Sequence, residues 1–188
     1  IQGFIRFSGM HHRHIISPVR KLSRLGWRQA VESPTIEKLG ICEYIERNLN
    51  VFITEATGGG KTYLACVLGY EACCHDYPTA FIRLSDYLTD IALARQENTY
   101  RKILKKYTNP KLLIIDEWLL VPSNEQERRE MAELIHKRRR HASTIFCSQY
   151  DDREWFDQLG GGSRVPRTAH PFSIENGRFL FTGFTVSD

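Results

Sequence analysis

Apolar positions along the chain follow two rhythms. Short apolar runs at 50–54, Thr79-Ala-Phe-Ile-Arg-Leu84, Leu112-Leu-Ile-Ile-Asp-Glu117 and Ser143-Thr-Ile-Phe-Cys147 predict strands. Between them lie longer stretches with helical spacing. Leu64, Ala65, Val67, Leu68 and Ala72 predict a helix over 61–74; Leu88, Ile91, Ala92 and Ala94 predict one from an N-cap at Ser85 to about 96. Thr99 to Tyr107 reads as a further helix. So does the stretch opening at Ser123 or Asn124, running through Met131, Leu134 and Ile135 and ending in Lys137-Arg-Arg-Arg140. Four consecutive apolar residues at 112–115 imply a strand covered on both faces, as in a parallel sheet. The alternation predicts an α/β, three-layer domain with a largely parallel sheet over 35–188, opened by a helix from Thr35 to about Asn48. A short irregular arm, basic and aromatic, precedes it at 1–34. Residues 151–158 read as a short helix, 160–168 as a loop, and Pro171 to Phe181 as a hairpin turning at Asn176-Gly177.

The first strand enters Glu55-Ala-Thr-Gly-Gly-Gly-Lys-Thr62, which then opens a helix beginning with Tyr63. Gly58, Gly59 and Gly60 let the backbone curl so that its N–H groups point inward at phosphate oxygens; Lys61 reaches the β- and γ-phosphates and the Thr62 hydroxyl holds Mg²⁺. The cradle thus comprises Glu55, Ala56, Thr57, Gly58, Gly59, Gly60, Lys61, Thr62 and Tyr63. Glu55 stands where the pattern G-x-x-x-x-G-K-[ST] has its first glycine. At about 8 Å and an effective dielectric of about 20, its charge opposes each phosphate charge by roughly 2 kcal/mol, so Glu55→Gly is expected to tighten ATP binding.

Asp116 and Glu117, ending an apolar strand, supply the complementary chemistry. Asp116 can bind Mg²⁺ through water, and Glu117 can deprotonate the water that attacks the γ-phosphate. At the end of the next strand a polar side chain can touch the γ-phosphate; Gln149 is the first choice and Ser148 the second. Together these features predict ATP and Mg²⁺ as ligands.

Charge alters the picture in one respect. The net charge is +4 and the pI about 8.8, and the cations are clustered. Arg101, Lys102, Lys105 and Lys106 share one helical stripe, which predicts sequence-independent, salt-sensitive binding to duplex DNA. Lys137 to Arg140 is the weaker candidate, because cations at a helix C-terminus already complement its dipole. Five cysteines without C-x-x-C spacing point to a reduced, cytoplasmic protein without a zinc site, and His11, His12 and His14 read as solvated. No apolar run has the length of a membrane span. The chain begins on Ile1 and is read as open at that end.

From about Ile41 to Gly162 the chain resembles the IstB-like branch of the AAA+ ATPases, helper proteins of bacterial transposons related to DnaC-type helicase loaders. The resemblance is carried by Ile41-Cys-Glu-Tyr-Ile-Glu-Arg47, Gly60-Lys-Thr-Tyr-Leu-Ala65, Phe81-Ile-Arg-Leu84, Ala92-Leu-Ala-Arg95, Leu112 to Glu117, Ser143-Thr-Ile145, and Ser148-Gln-Tyr150 running into Glu154-Trp155. It implies an ATPase that assembles on DNA as a homo-oligomer with ATP at subunit interfaces, and that recruits or stimulates a transposase. A replicative helicase is the alternative partner, and a largely non-catalytic ATP-gated adaptor the alternative activity. The resemblance also implies an arginine finger: Arg164-Val165 followed by Thr168-Ala-His-Pro171 makes Arg164 the candidate and Arg167 its alternate. The helical piece that the family carries between the glycine triplet at 160–162 and this arginine is missing here. A small-molecule kinase shares the loop and acidic strand, but the only arginines for its lid lie at 160–168.

Overall fold

A computed structural model describes residues 39–54, 60–150 and 179–183. Five strands form one sheet in the order β2-β3-β4-β1-β5, with every pairing parallel: β1 is Asn50–Thr54, β2 Thr79–Arg83, β3 Leu112–Asp116, β4 Ser143–Ser148 and β5 Phe179–Gly183. The helices are α1 (Glu43–Glu46), α2 (Lys61–Cys74), α3 (Leu84–Gln96), α4 (Tyr100–Thr108) and α5 (Glu125–Arg138).

Strand alternation builds two cores, one on each face of the sheet. Val51, Ile53, Leu112, Ile114, Ile145 and Cys147 point to the side covered by α1 and α2. Their neighbours Phe52, Leu113, Ile115 and Phe146 point to the side covered by α3, α4 and α5. Phe52 and Phe146 stack with ring centroids 4.9 Å apart, and Trp118 meets Phe146 edge-on at 4.8 Å. Helix α2 approaches β3 closely because position 69 has no side chain: a Cβ there would stand 2.6 Å from Ile114 Cδ1.

Local signals explain most element boundaries. Asn124 caps α5 through a capping box, its Oδ1 accepting from Glu127 N–H at 2.9 Å while Glu127 Oε2 accepts from Asn124 N–H at 2.8 Å. Gly60 caps α2 at φ 77°, a backbone region open to glycine. Two expectations are corrected. The N-cap of α3 is Arg83, so Ser85 lies inside the helix. The expected first helix is interrupted by a turn at Ile41 and Cys42, where Cys42 takes φ 61°. Strand β5, 179–183, pairs with β1 in parallel, and 171–178, with the Asn176-Gly177 turn of the expected hairpin, lie outside the described residues. The arm at 1–34 and the segment 151–168 also lie outside them. No described helix is long and apolar enough to cross a membrane.

Candidate nucleotide site and basic helix

Parallel order brings the carboxyl ends of β1, β3 and β4 side by side, and the motifs converge there. Thr62, in the first turn of α2, donates its hydroxyl to Asp116 Oδ2 at 2.9 Å. Asp116 is 6% exposed, and its other oxygen, Oδ1, accepts from the Glu117 N–H at 3.0 Å. The two motifs therefore meet at one hydroxyl–carboxylate contact. Hard oxygen donors suit magnesium, and a hydroxyl beside a buried carboxylate at the N-terminal end of α2 fits that ion together with triphosphate.

Glu117 leaves the strand in the left-handed region at φ 56°, and Leu119 follows at φ 58°. Non-glycine residues there each cost of order 1–3 kcal/mol and persist where their surroundings hold them. Here Trp118 and Leu119 are buried in the core, leaving the Glu117 carboxylate half-exposed at the mouth of the site. Its Oε1 stands 4.0 Å from Arg83 Nε, an ion pair between residues at the ends of β3 and β2. Arg83 pairs in register with Asp116, a neighbour that only the strand order could supply.

Lys61 opens α2, and its carbonyl lies 4.0 Å from Cys147 Sγ. Burial pushes the Cys147 thiol up, with Asp116 adding to the effect, and pushes Cys66 up likewise, so both are protonated at neutral pH. All five cysteines are free. No cluster of metal-binding His, Cys, Asp or Glu occurs among the described residues. Gln149 follows β4, half-buried, and Tyr63 is 43% exposed on α2. Ser148, the second choice for touching phosphate, is buried with its hydroxyl bonded to Trp118 O and Tyr150 N. Its hydroxyl serves the protein's own backbone. Glu55, Ala56, Thr57, Gly58, Gly59, Arg164 and Arg167 lie outside the described residues.

The basic stripe is partly redistributed. On α4, Arg101, Lys102 and Lys105 are exposed, but Lys106 Nζ pairs with Asp90 Oδ2 at 3.2 Å and lies 4.9 Å from the Tyr107 ring centroid. Asp90 also accepts from the Tyr107 hydroxyl, so Lys106 ties α4 to α3. A cation of α3, itself paired, lies beside the stripe. Arg95 stacks over Tyr100 at 4.2 Å and donates through Nε to Glu130 Oε1 at 2.7 Å, which pushes its pKa up. Arg95, Asn98, Thr99, Tyr100, Arg101 and Lys102 line an open depression at the start of α4. Arg95 was legible as a cation, but its place beside the stripe depends on the α3–α4 turn.

The second cluster, Lys137 to Arg140, is broken up. Arg138 is 2% exposed and points inward, and Lys137 Nζ pairs with Glu133 Oε1 at 3.1 Å.

Residues 8–165 match the family described as IstB-like ATP binding protein. An insertion-sequence ATP-binding protein of Sinorhizobium fredii, y4pL, is 31% identical over 156 residues, covering 83% of this chain and 62% of the relative. The ATP-binding protein of insertion sequence IS1162 from Pseudomonas fluorescens is 30% identical, covering 78% and 62%. The chain thus spans about three-fifths of the length of the curated relatives it matches. Among solved structures, the DnaC helicase loader aligns with a TM-score of 0.64 at 18% identity, covering 80% of this chain and 85% of that one. AMPPCP-bound DnaA from Aquifex aeolicus aligns at 0.60 and 18%, covering 86% and 47%. At these identities the likeness is one of fold. With the family model matched across most of its length, this chain belongs to the IstB-like ATP-binding protein family.

Proposed function

We propose that this protein binds and hydrolyses ATP, assembles on duplex DNA as an oligomer, and recruits or stimulates a transposase. The observation that carries the reading is the 2.9 Å contact between Thr62 and Asp116, which unites the glycine-loop and acidic-strand motifs in one site. The names of the insertion-sequence relatives support a transposase as the partner over a replicative helicase.

The triphosphate lies against the N-terminus of α2, with Lys61 on its β- and γ-phosphates. Magnesium held by Thr62 and Asp116 would neutralise charge on the phosphate oxygens. Glu117 accepts the proton of a water that attacks the γ-phosphorus; the bond to the bridging oxygen breaks, and ADP and phosphate leave. Gln149 orients the γ-phosphate or the water. Arg164 of a neighbouring subunit supplies charge in trans. Arg101, Lys102 and Lys105, with Arg95 alongside, contact DNA phosphates, and this assembly operates in the cytoplasm.

The test is phosphate release with and without duplex DNA. Wild-type protein is expected to hydrolyse ATP faster on DNA, whereas Glu117→Gln keeps ATP binding and loses turnover by roughly a hundredfold or more. Turnover unchanged in Glu117→Gln removes the glutamate from catalysis. Saturable ATP binding with no phosphate release from the wild type favours the ATP-gated adaptor.

A further inference from the structure

Regular pairing between β3 and β4 ends at Ile115 and Phe146, before either chain reaches its functional residue. Beyond that point β3 turns through left-handed Glu117 and Leu119, a path that no ladder supports. Three hydrogen bonds take over. The Trp118 N–H donates to Cys147 O at 2.8 Å, Ser148 Oγ donates to Trp118 O at 2.9 Å, and the Tyr150 N–H donates to Ser148 Oγ at 3.1 Å. The first fixes the peptide joining Glu117 to Trp118, and the second fixes the next peptide. The third curls the backbone around Gln149. One hydroxyl, on a residue 1% exposed, thus bonds on both sides of the gap between the candidate base and the candidate γ-phosphate contact. Ser148 is also paired with Thr54, the last residue of β1 before the glycine loop.

We propose that Ser148 is a positioning residue for hydrolysis: its hydroxyl latches the Glu117 turn to the end of β4, so that Glu117 and Gln149 are held as one unit. The inference rests on the role given to Glu117 above. Its physical basis is that a bound water must be met by both groups at once, and small displacements of a catalytic group lower rate far more than binding. A hydroxyl of this kind touches neither nucleotide nor water. Its loss therefore separates rate from affinity, whereas loss of a merely structural bond lowers stability and affinity together.

The experiment compares Ser148→Ala, Ser148→Thr and Glu117→Gln in the full chain with duplex DNA. Steady-state phosphate release, fluorescent-ATP affinity and thermal midpoint are measured for each. Ser148→Ala is expected to keep ATP affinity within about twofold and to lose roughly tenfold or more in kcat, and Ser148→Thr to recover most of that rate. An unchanged kcat in Ser148→Ala overturns the inference, as does a rate loss matched by equal losses of affinity and midpoint. A folded Ser148→Thr as slow as the alanine variant also overturns it. Should the extra methyl unfold the threonine variant, the kcat of Ser148→Ala at saturating ATP decides alone. If Glu117→Gln abolishes turnover while Ser148→Ala leaves kcat unchanged, the latch fails and the hydrolysis reading stands. If Glu117→Gln turns over normally, both fall.

Discussion

Arg138 carries a guanidinium into the protein interior, where its N–H groups meet backbone. Nη1 donates to the carbonyls of Tyr107 and Pro110, each at 2.9 Å, Nη2 to Ser143 O at 2.5 Å, and Nε to Thr144 Oγ1 at 3.0 Å. No carboxylate pairs with it among the described residues. Burial pushes its pKa down to about 9, which leaves it charged at neutral pH. Such a side chain satisfies carbonyls at the end of α4 and around the starts of β3 and β4, so its removal strands several buried acceptors. Arg138→Met is expected to lower stability by about 3 kcal/mol, a drop of roughly 6–12 °C in thermal midpoint, with ATP affinity in the cold unchanged. Thermal denaturation with a nucleotide titration checks this; an unaltered midpoint would show that water or relaxation satisfies those carbonyls. Within Lys137-Arg-Arg-Arg140 nothing in the sequence distinguishes the inward arginine, because four adjacent cations look alike until the helix is docked.

At the scale of elements, α4 is where charge and packing divide. Leu104 and Tyr107 bury one side against α3 and α5, and Arg101, Lys102 and Lys105 stand on the other. Because Lys106 is engaged by Asp90, substituting it perturbs packing as well as charge. Arg101→Glu combined with Lys105→Glu is the cleaner probe. It is expected to weaken duplex binding strongly and to reduce the salt slope by roughly 2, about one for each DNA phosphate left without its cation, while ATP affinity holds. Filter binding or anisotropy across a salt series measures it, and an unchanged slope would move the DNA surface elsewhere. Helix α2 was legible to the residue, since its apolar spacing and glycine start are local signals. The α3 cap was not: Ser85 has the right chemistry, but β2 runs directly into the helix at Arg83 and the cap position falls earlier. The parallel placement of 179–183 was equally hidden, because it depends on β1, which is remote in sequence, while Asn176-Gly177 gives a local turn signal.

For the whole molecule, the sheet order sets which residues meet at the candidate site. Placing β4 between β3 and β1 sets the ends of those two strands on either side of Ser148. The sequence carried the ingredients of that site: a glycine triplet, Lys61 and Thr62, and two acids ending an apolar run. What it did not carry was adjacency, such as Arg83 beside Glu117 or the Ser148 hydroxyl under Trp118, since these contacts arise only when strands remote in sequence are aligned.

The central claim is that Thr62 and Asp116 form one metal–nucleotide site. Its most direct test is ATP affinity by calorimetry, in magnesium and in EDTA, for wild type, Thr62→Ala and Asp116→Asn. Wild-type affinity is expected to fall roughly tenfold or more when magnesium is removed, and both variants to bind ATP with little dependence on magnesium. A full magnesium effect persisting in both variants would contradict the account.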